Sequence, residues 1–145
     1  MEDLTIKDVE QIAFALAQEL LSFDEPIPDY STRFPGILES CLATPFQWFA
    51  GRSLYRGLVS KSSILFYLMV KNHPFQNGNK RIATTTLLIF LMLNNKWLRA
   101  QIQEFYDFAN RVASSSSDDK GITVLEIKRF IKRHLYDVKF RAIKT

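Results

Sequence analysis

Nine consecutive residues, His73-Pro74-Phe75-Gln76-Asn77-Gly78-Asn79-Lys80-Arg81, hold most of the chemistry this chain can offer. A histidine can take up a proton near neutral pH. Gly78 lets backbone approach a ligand closely. A helix starting near Asn79 would offer its first N–H groups and its positive dipole end to a phosphate. Lys80 and Arg81 oppose that dipole, a placement that makes sense if an anion is being served, and Arg can bind one bidentately. Read as ordinary structure, His73 would cap helix carbonyls and the two cations would be surface charges. By residue type the segment is an anion site with a base at its mouth, and it names no reaction.

Two helices must hold that loop. Ile64, Leu65, Leu68 and Met69 follow helical spacing from a cap at Ser60 to about Asn72. Pro74 ends that helix, because the residue before a proline avoids the α region. A second helix runs from Asn79 to Leu93, apolar on nearly every side apart from Thr84, Thr85 and Thr86, which reads as a buried central helix. Asn94-Asn95 terminates it, and Trp97 is expected against its end.

The flanking elements follow the same logic. Thr5 and Asp8 form an imperfect capping box for a first helix to about Leu21. Residues 22–34 read as a loop and Pro35–Ala43 as a short helix. Residues 44–57 are an ordered, irregular excursion with room for a small hairpin between Phe46 and Gly57, in which Trp48 and Phe49 are either core or surface. A helix over about Ala100–Ala113 follows, then a polar, mobile stretch from Ser114 to Gly121. A last helix is capped by Thr123 and Glu126. His134 is expected exposed and inert, and residues 136–145 a basic tail. The expected architecture is all-α, a compact bundle around a buried central helix, in a single domain over 1–145.

Composition sets outer bounds. The chain has 145 residues, 19 basic and 15 acidic, and twelve Phe suited to an aromatic core. The excess charge is mild and partly lies in the tail, so no direct nucleic-acid binding is expected. Its single cysteine, Cys41, forbids an internal disulfide and reads as a small core residue. Met1-Glu2-Asp3-Leu4 lacks a signal-peptide core, and the longest strictly apolar run, Leu87 to Leu93, is far short of a membrane span. A cytoplasmic protein without a membrane partner is expected.

The motif resembles that of the Fic/Doc family, His-Pro-Phe-x-(Asp/Glu)-Gly-Asn-(Gly/Lys)-Arg, matching seven of eight specified positions without gaps. The Asn79-Lys80-Arg81 ending is similar to the Doc (death-on-curing) branch. The Fic branch has glycine at the place of Lys80 and a second arginine at the place of Thr84. The similarity extends through Leu4–Val9, Gly36–Ser40 and Phe49–Tyr55, and is clearest over residues 4–100.

The resemblance implies His73 as the general base for a target hydroxyl, with Pro74 and Phe75 as structural motif residues, Phe75 anchoring the loop. It implies Gly78, Asn79, Lys80 and Arg81 as phosphate ligands, ATP as substrate with Mg²⁺, and the 44–57 excursion as a flap. Arg52, Ser53, Leu54 and Tyr55 would there align a target segment. Doc-type transfer puts the terminal phosphate of ATP on a translation factor, EF-Tu; Fic-type transfer puts AMP on a protein hydroxyl. The departure is Asn77, where the family carries the acid that holds Mg²⁺. Weak metal binding at Asn77, or a binding module without catalysis, follows from it. No Ser/Thr-x-x-x-Glu inhibitory pattern occurs, so a separate antitoxin is expected as partner.

Overall fold

A computed structural model describes residues 5–8, 12–20 and 28–139. Two helices form its centre. α4 (Gly57–Lys71) is buried without a break from Lys61 to Val70. α5 (Asn79–Leu93) buries all but a few of its residues. The central position therefore belongs to a pair of helices. Around the pair pack α2 (Phe14–Leu20), α3 (Pro35–Ala43), α6 (Ile102–Ser114) and α7 (Lys120–His134), with the short turn α1 (Ile6–Asp8) against α3. Among the described residues no helix is long and apolar enough to cross a membrane.

Aromatic residues knit the bundle, as the phenylalanine count predicts. Phe66 of α4 stacks on Phe108 of α6 at 6.1 Å between centroids, and Phe108 stacks on Phe130 of α7 at 4.2 Å. Phe90 of α5 meets Phe46 edge-on at 5.9 Å. Cys41 lies in the core, where burial pushes its thiol up to about 11 against a weaker opposing bond to Asn72.

Helix ends explain where the sequence reading holds and where it slips. Thr5 and Asp8 do cap each other's amides, at 3.0 and 3.1 Å. The first helix is described only in pieces: residues 9–11 and Leu21 lie outside the described residues, as do 22–27 of the expected loop. α4 starts three residues before Ser60, with Arg56 as N-cap and no side-chain cap. α5 has the expected bounds, and Asn95 takes the left-handed conformation at φ 62°. α6 is capped reciprocally by Gln101 and Glu104, a box the sequence reading did not use. The Thr123–Glu126 box does not form. Ser116 instead caps a turn at Ser117–Asp119 that runs straight into α7, so Thr123 is buried inside the helix and Glu126 is free to pair with Arg111.

Two small antiparallel strand pairs, one of them a hairpin, complete the described residues. β1 (Trp48–Phe49) and β2 (Arg52–Ser53) pair antiparallel within the 44–57 excursion. Their turn residues Ala50 and Gly51 both have positive φ, 52° and 77°, as a type I′ turn requires. β3 (Lys96–Leu98) pairs with β4 (Leu135–Asp137), which corrects the reading of a tail from residue 136. Three residues with no alternating pattern carry too little signal for a strand. The expected exposure of His134 is corrected too. Its side chain is only 11% exposed, with its ring nitrogens on the Phe130 carbonyl and Glu104. Residues 140–145 lie outside the described residues.

Truncating Phe90 removes a buried ring at the junction of α5 and the Phe46 turn. Phe90→Ala should lower stability by about 3–5 kcal/mol, read by urea unfolding. A loss below about 1 kcal/mol would show that α5 is not the packed centre.

Candidate functional site

Residues 72–78 join α4 to α5, and the bonds that hold them can be followed residue by residue. The Asn79 side chain, 5% exposed, closes the loop on itself. Its Oδ1 accepts from the Phe75 N–H at 3.0 Å and its Nδ2 donates to the Phe75 carbonyl at 2.8 Å. The Phe75 ring is buried against Phe14 at 5.6 Å and Tyr30 at 5.9 Å. Pro74 accepts a backbone bond from Phe34 at 2.8 Å, which ties the loop to the start of α3. Asn77 Oδ1 accepts from the Gly78 N–H at 3.0 Å. Gly78 itself is the N-cap of α5 at φ 70°, a conformation costly for residues with a Cβ.

His73 is exposed and also left-handed, at φ 51°. A non-glycine residue there is strained, and such strain gathers at functional sites. Its Nδ1 lies 3.3 Å from Asn79 Nδ2. The two bonds to Phe75 fix which end of the Asn79 amide is the donor, so His73 Nδ1 accepts. The neutral ring then carries its proton on Nε2.

No side chain caps α5, and the first N–H groups of a helix have no intrahelical partner. Lys80 and Arg81 sit in this first turn but are turned to other elements. Lys80 Nζ donates to Asn110 Oδ1 of α6 at 2.9 Å. Arg81 Nη2 donates to the Ala17 carbonyl of α2, and burial pushes the guanidinium down from its ordinary value. Thr84 is buried and bonds back to the Lys80 carbonyl at 2.8 Å, so it serves helix packing.

The hairpin β1–β2 stands apart from the loop in sequence and presents apolar surface. Trp48 and Phe49 are 70% and 72% exposed, and Leu54 is exposed as well. Arg52 is exposed, while Ser53 and Tyr55 are half-buried. Of the two places open to Trp48 and Phe49, core or surface, they take the hairpin surface.

Sequence reasoning passed over Lys61 and Lys71. Lys71 Nζ donates to the Ala113 carbonyl at 3.2 Å and to that of Ser115, closing the C-terminus of α6. Lys61 donates to Ser53 and Tyr55. Its signal was present, since Lys61 falls on the same helical stripe as Leu65 and Leu68, where a cation is out of place unless it has acceptors.

The residues offer little to a resident Mg²⁺. Such an ion prefers one or two carboxylates together with substrate phosphates. The neutral Asn77 oxygen is already engaged by Gly78, and among the described residues no group of His, Cys, Asp and Glu could hold a metal. A bound ion belonging to the protein alone does not fit this donor set.

A buried helix pair, a strained histidine and a clasped loop before an uncapped helix define a Fic-type core. The Fic/DOC family model matches residues 3–91, and the chain belongs to that family. A relative from Mycolicibacterium smegmatis, Toxin Doc, is 31% identical over 85 residues, 57% of this chain. The match spans 65% of that relative, just under two thirds of its length. No solved structure matches at a comparable level of significance.

Removing the Asn79 amide leaves both Phe75 backbone groups without their partner. Asn79→Ala should cost about 2–4 kcal/mol, measured by denaturant unfolding, with the largest amide shifts in residues 73–78. Full retention of stability would mean that the loop does not depend on the clasp.

Proposed function

We propose that this chain is a Doc-like toxin that transfers phosphate from ATP to a protein hydroxyl. The observation that carries the reading is a strained, exposed His73 clasped beside the uncapped N-terminus of α5. The nucleotide phosphates would sit on the backbone N–H of Asn79 and on that of Gly78, which would first leave Asn77 Oδ1. Asn79's amide serves the loop, so its contribution to phosphate is through the backbone. Lys80 would leave Asn110 for the phosphates, and Arg81 would add its charge at the same helix end.

His73 takes the proton of the target hydroxyl. Its lone pair is on Nδ1, so the hydroxyl displaces the long contact to Asn79. The hydroxyl oxygen bonds to the γ-phosphorus, the bond to the bridging oxygen breaks, and ADP leaves. Mg²⁺ carried in the ATP complex would neutralise phosphate charge. The β1–β2 hairpin, with Arg52, Ser53, Leu54 and Tyr55, aligns the target segment. A translation factor such as EF-Tu is the proposed target and a small antitoxin the proposed partner.

AMP transfer is the same chemistry at the α-phosphorus with pyrophosphate leaving, and labelled ATP separates the two. A second reading, a binding module without catalysis, is favoured by the Asn77 oxygen being neutral and already bonded.

The test is transfer from γ- or α-labelled ATP to proteins of a bacterial lysate. Asparagine tolerates the left-handed backbone, so His73→Asn removes the base while keeping the loop. We expect γ-label on a protein band and a loss of about 10²-fold or more in the variant. Label that survives His73→Asn would refute the base, and α-label would move the reading to AMP transfer. Expression should arrest growth, and co-expression with the neighbouring reading frame should restore it.

One carboxylate charge acting on a cation at 4 Å is worth about 1–4 kcal/mol between bulk water and a protein surface. Asn77→Asp should therefore lower the Mg²⁺ concentration needed for half-maximal transfer by about tenfold. An unchanged Mg²⁺ requirement would count against position 77 as the metal position.

A further inference from the structure

Lys61 lies in the second turn of α4 and is 8% exposed. Its ammonium donates to Ser53 Oγ at 2.9 Å and to the Tyr55 carbonyl. Ser53 passes the connection on, because its hydroxyl donates to the same carbonyl at 3.0 Å. The charge also lies over the Phe46 ring, 5.4 Å from the centroid. Phe46 lies just before the hairpin and Tyr55 just after it. The two legs are joined by the Leu54 N–H donating to the Gln47 carbonyl at 3.0 Å. One buried cation thus touches what enters the hairpin, its second strand and what leaves it.

A lysine is an expensive side chain to bury, and burial pushes its pKa down. It stays in this position because two oxygens and a ring face receive its charge. The hairpin needs such a hold. It has two residues per strand and exposed apolar side chains, and an isolated hairpin is barely stable in water.

We propose that Lys61 is the positioning residue of the hairpin: it clamps both legs to α4, and through that helix sets the hairpin in register with His73, the residue two beyond the end of α4. The part of this concerning the target rests on the reading of the hairpin as the target-holding element; the clamp itself does not. α4 is buried from Lys61 to Val70, so one helix references the hairpin base at one end and the histidine at the other. A hairpin loosened at its base would still fold but would present a target segment in many poses, and misplacement of that kind lowers productive encounter more than it alters nucleotide binding.

Lys61→Met keeps the length and apolar stem and removes the charge and its donors. Ser53→Ala leaves α4 untouched and removes one of the two acceptors. Hydrogen exchange by mass spectrometry reads both variants without any substrate. In Lys61→Met, exchange in peptides covering the hairpin should rise by about tenfold, the equilibrium effect of losing charge-assisted hydrogen bonds. Exchange in peptides from α4 and α5 should stay as in the wild type. Ser53→Ala should give a smaller rise at the same place. With a protein substrate, Lys61→Met should raise KM for the protein and leave KM for ATP unchanged. Unchanged hairpin exchange in both variants overturns the proposal. So does a rise shared equally by α4 and α5, which would make Lys61 a packing residue. If Lys61→Met does not fold, Ser53→Ala decides alone by the presence or absence of the local rise. A wild-type protein that transfers nothing to any protein defeats the functional reading, while the exchange measurement still decides whether the clamp exists.

Discussion

The two hydrogen bonds between the Asn79 amide and the backbone of Phe75 are the constraint on which the site depends. They turn a seven-residue connection into a closed ring, with the ring of Phe75 plugged between Phe14 and Tyr30 beneath it. A buried amide that lost these partners would cost about 1–3 kcal/mol per unpaired group. The loop therefore has one arrangement that satisfies its polar atoms. That arrangement settles which ring nitrogen of His73 carries the proton, and the His73 backbone beside it is left-handed. The tautomer at the candidate base is a consequence of how Asn79 is satisfied.

A ring of this kind can be held only if the helices on both sides of it are themselves fixed. α4 and α5 answer this by burial, and long cationic side chains then brace them. Lys61 reaches the hairpin, Lys71 the end of α6, Lys80 the middle of α6 and Arg81 the carbonyl of Ala17 on α2. Each carries charge from the central pair to oxygen on another element. Charge-assisted bonds of this kind are worth about 1.5–3 kcal/mol, more than neutral ones. They act as struts, and at the N-terminus of α5 they leave positive potential where an anion would sit. Stability and electrostatics are served by the same residues.

The loop and its two helices were legible because their signals are local. Pro74 stops a helix, Gly78 starts one, and an apolar run of helical length must be buried. The hairpin could be foreseen as a possibility from Gly51 and Gly57, while Trp48 and Phe49 stayed open between core and surface, since their residue type alone does not decide it. What escaped is non-local. Pairing of Lys96–Leu98 with Leu135–Asp137 joins segments some forty residues apart, and neither strand has a pattern of its own. Thr123 and Glu126 have the spacing of a cap, yet Ser116 starts the chain turning earlier and Arg111 claims the glutamate through two bonds at 2.7 and 2.9 Å. Glu126 is held below the usual carboxylate range by that partner. The roles of Asn110 and Ala17 as acceptors for Lys80 and Arg81 are equally invisible in one dimension.

Asn77 shows how fold and chemistry can separate at a single position. Its Oδ1 accepts the Gly78 N–H, a bond that shapes the turn before α5. A carboxylate in the same rotamer would accept that bond with one oxygen and keep the other, with its charge, for a cation. The amide accepts the bond too, more weakly for want of charge, and presents an NH₂ donor where the second oxygen would be. The substitution therefore keeps the loop's bond and removes the charge and the second oxygen that a metal would use. The clasp, the left-handed histidine and the helix start are all present here with a neutral side chain at position 77. On the proposed reading, the donor at position 77 bears on how strongly a nucleotide-borne Mg²⁺ would be held. Retention of such an ion would fall to the phosphates, and the positive end of α5 would hold those phosphates and not the cation.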